Sequence, residues 1–156
     1  MLRTLGEFIS EITGGTRDPA RFEDTDYRLA AAALLVHVAV TDANFDEQER
    51  AKLKDVLAER FELGADDVDT LIESAVTADR EAVDLYQFTS LLNRACDDES
   101  RRKVVEMMFQ VAYADGHLSE FEDNIVWRAS ELMHVPSRER VTIRRQVRAQ
   151  NAQDEN

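Results

Sequence analysis

The sequence predicts an all-α fold, a helical bundle of about seven to eight helices, and three observations carry that expectation. Apolar residues recur at three- and four-residue spacing along nearly the whole chain, with no convincing period-two alternation. The segments marked this way end on Gly, Pro or charged clusters, which are helix-boundary signals. Five Gly and two Pro among 156 residues are too few for a turn-rich β protein. A chain of this length fits one domain and buries roughly two-thirds of its unfolded surface without staples.

Each element follows from its own residues. Leu2, Leu5, Phe8, Ile9 and Ile12 form the stripe of an amphipathic N-terminal helix over residues 1–15, closed by Gly14 and Gly15. Residues 16–26 are polar, hold Pro19 and read as a linker. A second helix runs from about Tyr27 to Thr41; its run of Ala30 to Ala33 lets neighbouring helices approach closely. The third spans Asp46 to about Glu62, with Leu53, Val56, Leu57 and Phe61 inward, and Gly64 breaks it. Asp66 is the expected cap of the fourth, which carries Val68, Leu71, Ile72 and Ala75. Asp84 begins the fifth, with Leu85, Phe88, Leu91 and Leu92 inward. After the charged turn Asp97 to Ser100, a sixth helix runs from about Glu99 to Ala114 and a seventh from Ser119 to Met133. An eighth follows Pro136. The helical domain is expected over 27–149, with 150–156 a disordered tail.

Charge narrows the function. The chain holds 32 Asp+Glu against 19 Lys+Arg, a net −13, and a phosphate backbone meets like charge over most of such a surface. Nucleic acid is excluded as a partner. The acidity is uneven: residues 21–136 hold 26 acidic and 12 basic residues, a local −14, whereas 138–148 carry five arginines against Glu139, a local +4. This basic last helix either folds back on the acidic body or meets an acidic partner. Cys96 is the single cysteine, which excludes an internal disulfide and suits a reducing compartment. Glu7 and Glu11 interrupt the N-terminus, so it is no signal peptide, and the longest uncharged stretch, Leu29 to Thr41, is too short to span a bilayer. These features place the chain in the cytoplasm, without a transmembrane segment, and leave peripheral membrane association open.

An internal repeat is the most informative feature. Leu34 to Glu49 reads LLVHVAVTDANFDEQE, and Met107 to Glu122 reads MMFQVAYADGHLSEFE. At an offset of 73, Val38 matches Val111, Ala39 matches Ala112, Asp42 matches Asp115 and Glu49 matches Glu122. Each copy is helix, acidic loop, helix. Neither amphipathic pair buries its apolar face alone, so the two are expected to pack about a pseudo-twofold axis.

Capping explains much of the acidity. Asp46 with Glu49, and Ser119 with Glu122, have the spacing of capping boxes and suit the helix dipole. Capping does not explain Asp42 and Asp115, which recur at helix C-terminal ends where the dipole disfavours an anion. If the two loops face one another, Asp42, Glu49, Asp115 and Glu122 converge, a donor set suited to a hard divalent cation. A calcium EF-hand is rejected. Asp42, Asn44 and Asp46 open like one, but Glu47 stands where Gly is needed and Leu53 where the bidentate Glu belongs.

Other candidates carry less. Glu131 and His134 are half of a di-iron motif with no second copy. His37, between Val36 and Val38, reads as a satisfied core histidine, and His117 as a turn residue. Cys96 reads as a small, partly buried residue and not as a nucleophile. Phe109, Tyr113 and Trp127 read as core packing, and Tyr86 and Phe88 as covers for the groove between the repeats.

The two acidic copies, together with DLYQFTSLLN at Asp84 to Asn93, closely resemble the TerB-like (tellurite-resistance protein B) family over about Arg28 to Val135. VAYADGHLSEFE is the most specific part, and VAVTDANFDEQE is a looser copy in which Ala43 replaces the usual Gly. The resemblance implies an all-helical bundle with pseudo-twofold symmetry and a metal site of loop carboxylates. Carried over by position, the implied ligands are Asp42, Glu49, Asp115 and Glu122. It implies a non-enzymatic, stress- and tellurite-resistance-associated interaction module with a protein partner and a divalent metal ion, neither of which the sequence names. A metal-dependent hydrolase and a ligand-free helical scaffold are the alternatives.

Overall fold

The structure, a computed structural model, describes residues 22–23, 26–40 and 47–154. The expected N-terminal helix, most of the linker and the loop holding Asp42 lie outside the described residues. Seven helices form the described chain: α1 (Tyr27–Ala39), α2 (Glu47–Phe61), α3 (Ala65–Glu81), α4 (Tyr86–Ala95), α5 (Asp98–Ala112), α6 (Glu120–Leu132) and α7 (Ser137–Asp154). The all-α expectation holds, because the three- and four-residue apolar spacing persists through every segment.

Helix α1 is the centre. Leu29 to Val36, Val38 and Ala39 are all buried, so the helix is covered on every side instead of along one stripe. It touches α2, α3, α4, α5 and α6. The four alanines at 30–33 make this possible, since a methyl group lets a neighbouring backbone approach on each face. Asp26 caps its start, accepting from the Arg28 N–H at 2.9 Å and pairing with the Arg28 guanidinium at 2.7 Å. The same guanidinium stacks 4.8 Å from the centroid of the buried Phe22 ring.

Around α1 the remaining helices each bury one stripe. Leu53, Val56 and Leu57 face inward from α2, while Phe61 is half-buried with its ring edge-on to Tyr27 at 5.8 Å. Val68, Leu71, Ile72 and Ala75 of α3 are buried, as are Phe88 and Leu92 of α4. Asp97 caps α5 through the Ser100 N–H at 2.9 Å.

Two boundaries differ from the expected ones, the start of α3 and the end of α7, and two others fall where expected but close in an unexpected way. The cap of α3 is Gly64, with no side-chain bond, and Asp66 sits inside the first turn, where it suits the dipole. Helix α2 ends on Glu62 at φ 53°, with the Leu63 N–H reaching the Ala58 carbonyl at 3.0 Å. Helix α6 closes the same way on His134 at φ 62°, with the Val135 N–H on the Ser130 carbonyl at 2.9 Å. Both are left-handed helix ends held by a six-to-one bond, built without glycine. Helix α7 continues to Asp154, past residue 149, because Ala149, Gln150, Ala152 and Gln153 are sound helix formers with no breaker among them.

The basic last helix folds back on the body. It packs on α5 and α6, with Val147 buried and Ile143 beside it. Arg102 reaches Glu139 at 3.4 Å, and Arg144 reaches Asp123 at 3.4 Å.

Candidate functional site

The second acidic loop is built entirely from local chemistry. Helix α5 ends at Tyr113, and the chain turns at Gly116, whose φ of 100° is open to glycine and strained for other residues. Asp115 is exposed at this turn and accepts from the His117 N–H at 3.3 Å, so His117 is the turn residue its sequence position suggested. Ser119 caps α6 reciprocally: the Glu122 N–H donates to its hydroxyl at 3.1 Å, and the Ser119 N–H donates to the Glu122 carboxylate at 3.0 Å. The capping box expected from the sequence is present.

Capping accounts for that carboxylate's position but not for its burial. Glu122 is 5% exposed and Glu49, in the first turn of α2, is 3% exposed. Charged residues are almost never buried so fully without a partner. The two side chains are close enough to interact. Burial pushes the Glu122 carboxyl above its ordinary value, the nearby Asp115 charge adds to the rise, and the bonds from Ser119 and the contact with Glu49 oppose it. One glutamate from each repeat thus meets the other across 73 positions of sequence, with Asp115 close enough to be felt.

Asp42, the fourth expected carboxylate, lies outside the described residues, as does the Asp46 cap. Among the described residues, no three His, Cys, Asp or Glu side chains are grouped closely enough to hold a metal ion.

The remaining candidates resolve one by one. His37 Nδ1 lies 2.7 Å from Asp79 of α3, so the histidine of α1 is satisfied by a carboxylate the sequence reading did not pair with it. His134 is exposed at the end of α6 and supplies the left-handed turn. Cys96 caps α4, and burial pushes its thiol up, away from a reactive thiolate. Its carbonyl accepts from Arg101 at 2.7 Å, and the same guanidinium also reaches the Met133 carbonyl at 3.1 Å and the Asp98 carboxylate. Arg101 therefore ties the ends of α4 and α6 to the start of α5. Phe109 and Tyr113 are buried core residues, as expected.

Trp127 is a correction. It is 43% exposed, because it lies about 130° around α6 from the centre of the stripe formed by Glu122, Ile125, Val126, Ala129 and Ser130. Which arc of α6 is covered was set by packing and not by the spacing alone. Tyr86 is likewise exposed, whereas Phe88 is buried and lines a groove of about 620 Å³ between α1, α3 and α4, beside Phe22 and Leu29.

A family model described as tellurite resistance protein TerB matches residues 28–145, well over half of the chain. The chain belongs to the TerB family. Its match reaches into α7, so part of the arginine-rich helix falls within the TerB region. No curated protein matches the chain, and no solved structure does. Among the described residues, no helix is long and apolar enough to cross a membrane.

Proposed function

We propose that this TerB-family chain is a non-enzymatic, tellurite- and stress-associated module whose two acidic loops bind a divalent cation through Glu49, Glu122, Asp115 and Asp42. The observation that carries the reading is the buried Glu49–Glu122 contact. Burial of Glu49 and Glu122 is costly for free anions, and a cation shared between them would offset that cost. The donor set is all oxygen, which suits a hard ion such as calcium, magnesium or manganese better than zinc. Asp115 is exposed, and Asp42 is its counterpart in the sequence at the offset of 73. The packing of α1 on α6 and of α2 on α5 supports two related helix pairs. A bound ion stabilises the fold by mass action, which couples occupancy to the geometry of both loops and makes the module responsive to metal.

Thermal unfolding in chelator, followed by titration with each cation, tests this. At about 100 times the dissociation constant a bound ion adds about 2.7 kcal/mol, which raises the midpoint by about 5 to 11 °C for a domain of this size. Asp115→Ala and Asp42→Ala should abolish that rise, and Glu59→Ala should leave it intact. No movement with any cation, or an equal rise in both loop variants, would leave the helical scaffold as the correct reading.

A further inference from the structure

The arginines of α7 do more than hold that helix to the body. At about 100° per residue, Arg140, Arg144, Arg148, Arg145 and Arg138 fall within an arc of about 160°. The neutral side chains Thr142, Gln146 and Ala149 occupy the opposite side. Arg140 and Arg144 of this arc line a groove of about 480 Å³ between α6 and α7, with Val141 beside them and Trp127, Asp123 and Glu120 on the α6 side. Its cations are under-used. The Arg140 Nε is buried and has no hydrogen-bond partner among the described residues. Arg144 meets both Asp123 oxygens only at 3.4 Å, longer than the 2.7–2.9 Å of a charge-assisted bond. Arg138, Arg145 and Arg148 are exposed. Beside them Trp127 is 43% exposed.

We propose that this groove is a docking surface for an acidic segment of a partner protein that carries an aromatic or aliphatic anchor. Charge complementarity selects the occupant. On a chain of net −13, the surface over 138–148 is locally +4, so an acidic segment is repelled by the body and drawn to α7. Guanidinium forks at Arg140 and Arg144, with the exposed Arg148 one turn further along α7, match carboxylates two oxygens at a time. Trp127 and Val141 give the anchor an apolar seat of the kind that dominates interface energies. An extended polyanion fits less well: Asp123 and Glu120 line the α6 wall of the groove, and a broad anionic surface would press against them. A narrow peptide avoids them by lying along the arginine side.

Trp127 is the only tryptophan, so its emission reports the groove directly. The full chain would be titrated with a tryptophan-free peptide of alternating Glu/Asp with central Phe and Leu, with the same peptide carrying Ser at those two places, and with phosphatidylglycerol vesicles. The expected result is a saturable emission change with the first peptide, weakened by salt, and weakened about tenfold or more by Arg144→Glu with Arg148→Glu. Arg80→Glu, on α3, should leave it unchanged. Trp127→Phe, followed by calorimetry, should bind with lower affinity even if the arginine variants fold poorly. Equal binding of the Ser peptide would overturn the anchored groove. A response to vesicles as strong as to the peptide would identify a membrane surface instead, and no response to any probe would also sink the proposal.

Discussion

Replacing Glu122 by Gln and, separately, by Ala separates what its shape contributes from what its charge costs. Alanine removes the acceptor that the Ser119 N–H uses at 3.0 Å and the contact with Glu49. The capping bond contributes about 0.5–2 kcal/mol, and the buried Cγ methylene, which alanine lacks, about 0.8 kcal/mol. Glu122→Ala should therefore lose about 1.3 to 2.8 kcal/mol, a fall in midpoint of about 3 to 11 °C. Glutamine keeps the oxygen that accepts from Ser119 and gains an amide donor for the Glu49 carboxylate. It forfeits the favourable charge at the helix start, about 0.3–1 kcal/mol, but it no longer places a charge in a buried site. In chelator at pH 7, Glu122→Gln should stay within about 1 kcal/mol of the parent or exceed it.

The pH dependence fixes the sign. A carboxyl whose folded pKa is raised contributes stability that is fully present below the unfolded value and is lost as pH rises through the folded value. The parent should therefore lose ground to Glu122→Gln as pH rises from 4 toward 7, once other carboxylates are cancelled by taking the difference between the two proteins. The measurement is urea unfolding of parent, Gln and Ala variants across that range with chelator present. If Gln falls as far as Ala at pH 7, or the Gln-minus-parent difference stays flat with pH, burial does not hold the Glu122 carboxyl above its ordinary value.

Four further changes test the scaffold. Phe109→Ala should lose about 3–5 kcal/mol, since Phe109 is fully buried at the heart of α5, and denaturant midpoints will report it. Ser119→Ala should cost about 1 kcal/mol by removing one half of the capping box, read by the same assay. Gly116→Ala should cost about 1–2 kcal/mol because its φ of 100° is strained for any residue with a Cβ; it should also disturb any cation response through the Asp115 turn. A double-mutant cycle on His37 and Asp79 should return about 0.2–1 kcal/mol, the range for a pair with partial solvent access, and a much larger coupling would mean that pair is a core element.

Much of the fold was written locally. Asp26, Asp97 and Ser119 announce helix starts through side-chain acceptors a few residues from the N–H groups they serve, and Gly116 announces a positive φ that few other residues tolerate. Such features need only neighbours in sequence, so they are readable before any packing is known. The ends of α2 and α6 fall where the sequence put them, but their left-handed closure was not legible, because Glu62 and His134 adopt that turn against their own preference, compensated by the bonds that close the helix behind them. Helix α1 was legible as apolar but not as central; an alanine-rich segment shows no strong stripe, and only the five helices around it reveal that every face is covered.

The candidate site divides along the same line. Sequence determined which carboxylates are equivalent, since an offset of 73 pairs Asp42 with Asp115 and Glu49 with Glu122, and it determined that Ser119 and Glu122 would cap α6. Only tertiary structure decided that Glu49 and Glu122 meet in the interior, that Asp79 satisfies His37, and that Trp127 looks outward beside a row of arginines. The physical reason is range. Hydrogen bonds at helix ends are set within three or four residues, whereas burial and convergence depend on how seven amphipathic helices share one core, and many pairings satisfy the same stripes until one packing excludes the rest.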